Sequence, residues 1–413
     1  MDKQGTRIVV VGSGGREHAI CDVLSREGYH VIATPGNVGI SKVADCSDQD
    51  PREMDADLFV IGPEAPLVEG LADDLRAQSK LVFGPGKGGA LLEGSKDFMK
   101  EVAAAAKVPT AAYATFTAID EATEYLSSKD GPYIIKTDGL AAGKGVLVTS
   151  DLESAIEDVR AKLSGASFGD AGTKVIIEDF LVGREVSVLA VVDGDRAILL
   201  PSAADHKRLN DGDLGPNTGG MGAFAPVEWF DESLQRRTME LIIMPVIEEL
   251  KLRGIDYRGV LYAGLMVNDD GPSLVEFNVR FGDPEAQVVI PLVEGSFGEL
   301  LFAAASGDLS SLELKAKGAG AVVVVSSAGY PNAPRKGDRI VGLDAIYDDP
   351  NIRVYHSGTA LDGQGNLVTA GGRVLGVTAV GDSKEEALER AYKAVAKIEF
   401  EGAHYRRDIG VGR

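Results

Sequence analysis

The sequence predicts a multidomain α/β and α+β protein, and three observations carry that prediction. The chain has 413 residues, more than one ordinary hydrophobic core serves. Through residues 1–95, short apolar runs alternate with amphipathic helical stretches, the pattern of a parallel sheet with covering helices. Near Gly318 the pattern restarts as clustered strands followed by one helix, which reads as a separate α+β unit. The expected domains are therefore 1–95, 96–317 with a small lobe at about 110–182, and 318–413.

In the N-terminal unit, strands are expected at 8–11, 29–33, 58–61 and 81–83, with helices at 17–27 and 67–78. Such sheets take ligands outside the carboxyl ends of their strands. The first loop there is Gly12-Ser13-Gly14-Gly15-Arg16-Glu17-His18. It begins like a dinucleotide fingerprint, but Glu17 stands where the third glycine belongs. Pro35-Gly36-Asn37 also replaces the acidic residue expected after the second strand. Both departures argue against NAD. A glycine turn with Arg16 at a helix N-terminus still suits one phosphate. In Gly62-Pro63-Glu64-Ala65-Pro66-Leu67, the Glu64 carboxylate suits sugar hydroxyls or a plain turn equally.

In the central unit, Ser95 is a candidate cap for a helix that runs to about 106 and stops before Pro109. Strands at 132–135 and 146–149 enclose a loop with Gly139, Gly143 and Gly145, together with Lys136 and Lys144. A P-loop needs four residues between its glycines and a hydroxyl after its lysine. Here only Leu140-Ala141-Ala142 separate Gly139 from Gly143, and Gly145 follows Lys144. The stretch reads as a glycine-rich flap closing over nucleotide phosphates, with a solvated surface hairpin as the alternative. A helix at 151–163 and a loop at 168–172 follow. A strand then begins at Val175, turns after Leu181, and gives way to another from Glu185. Such a crossing suits an adenine slot read by backbone groups, with Glu178 and Glu185 facing nucleotide polar groups or solvent.

The polar stretch 205–223 reads as a long loop with a functional role, with His206 as a base or a loop hydrogen bonder. A long helix is expected at 231–253. Strands at 260–267 and 273–278 pair across Asn268-Asp269-Asp270-Gly271. Glu276 and Asn278 are two residues apart and share one strand face. Two oxygen ligands there, with phosphates supplying others, suit magnesium. Arg280 has the same parity. Its planar fork suits a carboxylate or a transferring phosphoryl group, unless it pairs with Asp283 or Glu285. In the last unit, strands are expected at 322–326, 340–341, 353–356 and 373–378, then a helix at 383–397 capped by Asp382 or Ser383. Loops 357–359 and 370–373 either close over a substrate or are simple turns.

The formal net charge of −21 argues against a nucleic-acid or anionic-membrane partner. Cys21 and Cys46 have no metal or disulfide spacing and are both expected to be buried. With its first strand starting near residue 7, the chain is expected to carry no signal peptide, and no apolar run reaches a membrane span. The expected location is the cytoplasm.

Together the motifs resemble the ATP-grasp ligases and, within them, the phosphoribosylamine–glycine ligase family. The likeness covers essentially the whole chain: 14–19, 62–67, 92–96, 138–146, 205–208, 215–222, 276–285, 371–373 and 407–410. It implies a central ATP-grasp domain with a mobile small lobe, between an N-terminal α/β domain and a C-terminal α+β cap. It implies that ATP drives glycine onto 5-phosphoribosylamine through a glycyl phosphate, in purine biosynthesis, with magnesium or manganese. Carried over by motif, Lys96, Lys136 and Lys144 contact nucleotide phosphates beside Gly139, Gly143 and Gly145. Glu178, Phe180 and Leu181 hold adenine, Glu185 the ribose, and Glu276 and Asn278 the metal. Gly14, Gly15, Arg16, Glu17 and Glu64 take the phosphoribosyl group, with Lys207, Gly282, Asp283, Gly372 and Arg373 completing the substrate site. Arg280, Asp205 and Lys144 are the catalytic candidates. The implied partners are small molecules only, and a monomer is expected. Thr137, Ala204, Val279 and Ser357 depart from the family's common residues without removing a charged group.

Overall fold

The computed structural model describes residues 3–140, 145–165, 174–346 and 349–412. The expectations for Gly143, Lys144 and the loop at 168–172 lie outside the described residues. The N-terminal sheet has five parallel strands in the order Asp45–Cys46, His30–Pro35, Arg7–Gly12, Leu58–Ile61, Val82–Phe83. Its central strand is buried from Ile8 onward, as a near-continuous apolar run in a covered parallel sheet should be. The helix Gly15–Arg26 leaves its carboxyl end. The helix expected at 67–78 is two, Glu64–Glu69 and Leu71–Ala77, because Gly70 at φ 101° ends the first. Glu64 therefore opens a helix.

The small lobe is an antiparallel sheet ordered Tyr113–Phe116, Val175–Glu178, Tyr133–Thr137, Val146–Thr149. Helices Ile119–Ser127 and Leu152–Leu163 cover one face, where Leu126, Val159, Ile135 and Ile177 form its core. The large-lobe sheet is ordered Ala197–Leu199, Arg184–Asp193, Arg258–Asn268, Gly271–Asn278. The helix expected at 231–253 is interrupted by a π turn, Met239–Ile243, between Glu232–Thr238 and Met244–Leu252. Pro245 lacks the N–H that would close an ordinary turn there.

The stretch 205–223 is not an open loop. Arg208–Asn210 and Leu214–Asn217 form a hairpin, and Ala204–Asp205 and Gly222–Ala225 join a larger sheet. That sheet runs Ala204–Asp205, Gly222–Ala225, Ala319–Ser326, Arg373–Gly381, Ile352–His356. The strand expected at 340–341 is reduced to isolated bridges, Arg339 with Val368 and Val341 with Glu399. The last helix is Lys384–Val395, capped by Ser383 Oγ accepting from Glu386 N at 3.2 Å. Val9, Ala263 and Ala321 share one hydrophobic cluster, and Ile8, Tyr262 and Val322 another, so three sheets pack on common cores. Cys21 is buried, but Cys46, on a two-residue edge strand, is exposed, against expectation. No helix among the described residues is long and apolar enough to cross a membrane.

Candidate active site

One end of the site is rich in lysine. Ile135 and Ile177 point into the small-lobe core, so their neighbours Lys136 and Glu178 lie on the opposite face of the sheet. Lys136 Nζ is 3.0 Å from both Glu178 oxygens and donates to Val275 O at 3.2 Å. A second lysine reaches the same carboxylate. Lys100, fully buried on the helix Lys96–Ala105, lies 3.3 Å from Glu178 Oε2. It also donates to Thr110 Oγ1 at 2.9 Å. Sequence reasoning missed Lys100, since one lysine in an amphipathic helix gives no signal of its partners.

Lys96 opens that helix and donates to Gly139 O at 3.2 Å. Burial pulls its ammonium below the ordinary range, with Glu276 opposing. Ser95 Oγ caps the helix by accepting from Phe98 N at 3.1 Å and donates to Asp138 Oδ1 at 3.2 Å, tying the cap to the glycine loop. Gly139 takes φ 91°, and Gly145 O accepts from Thr137 N at 2.8 Å. Phe180 and Leu181 follow Glu178 at the chain crossing, Phe180 exposed and Leu181 half-buried.

The expected metal pair faces the same space. Glu276 lies opposite Gly264 and Asn278 opposite Tyr262; a bulge at Val275 precedes them but leaves both on one face. Burial works against the charge of Glu276. Lys207, Lys136, Lys96 and Arg280 outweigh it and hold the carboxyl below its usual range. Lys207 pairs with Glu185, and Asp205 is buried on the adjoining strand. Among the described residues, no cluster of three or more His, Cys, Asp or Glu could hold a metal alone. Two hard oxygen donors fit a divalent ion whose other ligands are phosphate oxygens.

The other end is rich in carboxylates. Arg280 Nη2 donates to Glu93 Oε1 at 2.8 Å and its Nε to Glu64 Oε2 at 3.3 Å. Glu93 Oε2 accepts from Val279 N at 2.8 Å. Neither Asp283 nor Glu285 hydrogen-bonds Arg280, though the Glu285 carboxylate adds to the field on it: Asp283 lies 3.2 Å from Arg373, and Glu285 accepts from Tyr262 Oη at 2.9 Å. Burial raises the Glu93 carboxyl above its usual range, with Arg280 opposing. Arg16 is also engaged internally. Its Nε donates to Glu17 Oε1 at 2.6 Å and its Nη1 to Phe281 O at 3.0 Å. Glu17 Oε2 accepts from Gly14 N at 2.6 Å. A Cβ on Gly12 or Gly62 would strike the Glu17 side chain, so those glycines make room for a carboxylate. Gly15 packs on Gln287 and Ser357, Gly282 on Glu285, and Gly372 on the Tyr330 ring. Arg373 Nη1 donates to Gly219 O at 2.5 Å and to Asp283 O at 2.7 Å. Glu93 lies within the motif 92–96, but the sequence alone gives it no role, because its partner Arg280 is 187 residues away.

Comparison with known proteins agrees from end to end. Three domain families match in sequence: the N domain of phosphoribosylglycinamide synthetase over residues 6–93, its ATP-grasp (A) domain over 94–286 and its C domain over 320–412. A chloroplastic phosphoribosylamine–glycine ligase of Arabidopsis thaliana is 47% identical over 96% of this chain and 78% of its own length. The phosphoribosylamine–glycine ligase of Streptomyces coelicolor is 44% identical, over 98% of both chains. The crystal structure of phosphoribosylamine–glycine ligase from Thermotoga maritima superposes with a TM-score of 0.88 at 36% identity, covering 98% of this chain and 100% of that one. The biotin carboxylase domain of Hydrogenobacter thermophilus 2-oxoglutarate carboxylase, at 15% identity and a TM-score of 0.73, shares the fold. The chain belongs to the phosphoribosylglycinamide synthetase family of ATP-grasp ligases.

Proposed function

We propose that this protein joins glycine to 5-phosphoribosylamine, driven by conversion of ATP to ADP and phosphate. The observation that carries the reading is the meeting of Lys96, Lys136 and Lys207 around Glu276, which shares a strand face with Asn278, in a chain matched throughout by the synthetase domains. A carboxylate is a poor electrophile. Glycine's carboxylate oxygen attacks the γ-phosphorus of ATP, the bond to the β-phosphate oxygen breaks, and glycyl phosphate and ADP form. The amine of phosphoribosylamine then attacks the glycyl carbon. Phosphate leaves with its bonding pair, and the amine proton passes to phosphate or solvent.

No side chain is needed as a covalent nucleophile. Lys96, Lys136 and Lys144 stabilise charge spread over phosphoryl oxygens in the transition state. Glu276 and Asn278 hold magnesium, or manganese in its place, which neutralises phosphate charge when bound. Glu178 already serves two lysines, so the adenine edge falls to the backbone of Phe180 and Leu181, with Glu185 toward the ribose. At the other end, Arg16, Glu17, Glu64, Gly14 and Gly15 shape the phosphoribosyl site. Asp205, on the strand beside the Lys207–Glu185 pair, and Arg280, at the carboxylate-rich end, are assigned to glycine and its activated carboxyl. The test is ADP release with ATP, magnesium, glycine and phosphoribosylamine, omitting one component at a time. Turnover is expected only with all four, and equal turnover without glycine contradicts the reading.

A further inference from the structure

We infer that Lys100 is a positioning residue: a standing counter-ion for Glu178 that leaves Lys136 available to nucleotide phosphate. The inference rests on the reading that Lys136 binds phosphate, and it concerns a residue no motif marks. Lys100, Lys136 and Glu178 form a buried triad of two cations and one anion. An unbalanced charge is costly in a protein interior unless something completes it. Lys136 also faces Glu276, the proposed metal ligand, so once that carboxylate holds a metal the triad keeps a net charge of plus one, and what completes it is an anion.

The two lysines are not equivalent. Lys100 is fully buried, and its ammonium is committed to Glu178, to Thr110 Oγ1 and to the Tyr113 ring, whose centroid is 5.3 Å away. Thr110 Oγ1 in turn donates to Leu274 O at 2.7 Å, so the partners of Lys100 are anchored to the strand that carries Glu276. Lys136 sits on the strand that leads into the glycine loop and spends one donor on Glu178 and another on Val275 O. An ammonium has three donors. Without Lys100, Glu178 and Lys136 would make a closed neutral pair, and drawing Lys136 toward a phosphate would strand a buried carboxylate. With Lys100 present, Glu178 stays paired while Lys136 turns to the ligand.

The test measures binding of ATP and of ADP with magnesium by calorimetry on the full chain, for the parent, Lys136→Met, Lys100→Met, Lys100→Arg and the double variant Lys100→Met with Glu178→Gln. Lys100→Gln is carried alongside in case the methionine variant fails to fold, because it keeps hydrogen bonding without charge. Lys100→Met or Lys100→Gln is expected to weaken nucleotide binding about tenfold, the loss of one charge-assisted contact. Lys100→Arg keeps most of the affinity. The double variant recovers it to within about threefold of the parent, because Lys136 is no longer held by a lone carboxylate. A merely structural lysine gives no such recovery, so a double variant as weak as Lys100→Met or weaker overturns the inference. Unchanged affinity in Lys100→Met and Lys100→Gln, with Lys136→Met weakened, also overturns it. Unchanged affinity in Lys136→Met contradicts the underlying phosphate reading instead.

Discussion

The two ends of the site pair their charges differently. Around Arg280, two arginines, Arg16 and Arg280, meet three carboxylates, Glu17, Glu64 and Glu93. Around Lys136, two lysines share one carboxylate. The first end is internally satisfied: each guanidinium already has protein partners, and a ligand meets a preformed frame. At the second, Lys136 faces Glu276 as well as Glu178, and on the proposed function Glu276 turns to the metal while Lys136 turns to phosphate. Similar motif residues thus do different work, and the balance of partners separates scaffold from receptor better than residue type does.

That contrast makes the sharpest expectation a split between stability and affinity. Glu93→Gln leaves Arg280 with one carboxylate fewer in a buried setting, and should cost about 3 kcal/mol of stability. Urea unfolding checks this, and nucleotide affinity of the folded protein should hold. A stable Glu93→Gln protein with weakened nucleotide binding breaks the contrast. At the other end, Glu276→Gln should lower turnover about 10²-fold at limiting magnesium, with little change in melting temperature. Titrating magnesium against rate for both proteins decides it.

The helix that carries Arg16 also carries His18, whose Nδ1 accepts from His356 N at 2.9 Å across the domains. Burial, then His356 and Lys42, lowers His18 to about 3, and burial followed by Lys42 lowers His356 to about 4. Both stay neutral when folded, whereas the unfolded chain takes up their protons below about 6.5. The unfolded state binds more protons, so stability falls as pH drops from about 6.5 toward 4. Each histidine should remove about 2 kcal/mol by pH 5. His356→Gln should flatten the slope by about half, and an unaltered slope rules the pair out as its source. The smallest effect is at the lysine-rich end: Ser95→Ala removes the cap of the helix bearing Lys96 and Lys100 and should cost about 1 kcal/mol, read from thermal melting.

Local signals made much of this molecule legible. Alternating apolar runs located the parallel sheet, and Glu276 with Asn278 shared a face because parity survives a bulge placed before them. The glycine loops were visible, but not their purpose: Gly12 and Gly62 make room for the Glu17 side chain, which only three-dimensional packing reveals. What stayed hidden depends on long separations. Glu93 meets Arg280 across 187 residues, and Gly222–Ala225 pairs with Ala319–Ser326 across a domain's length. The strand read at 340–341 is reduced because its partners are split: Arg339 bridges Val368 and Val341 bridges Glu399, on different segments, so no continuous ladder forms. Lys100 stayed hidden because a buried lysine and a solvated one look alike in a helical pattern.

The central claim is that the lysine-rich end moves a phosphoryl group onto a carboxylate before the amide bond forms. Glycine labelled with ¹⁸O in both carboxylate oxygens tests it in one experiment, with mass analysis of the phosphate released during a single turnover. The account predicts one ¹⁸O atom in each phosphate, because the oxygen that attacked phosphorus leaves with it. Phosphate free of ¹⁸O, alongside normal amide product, would contradict it.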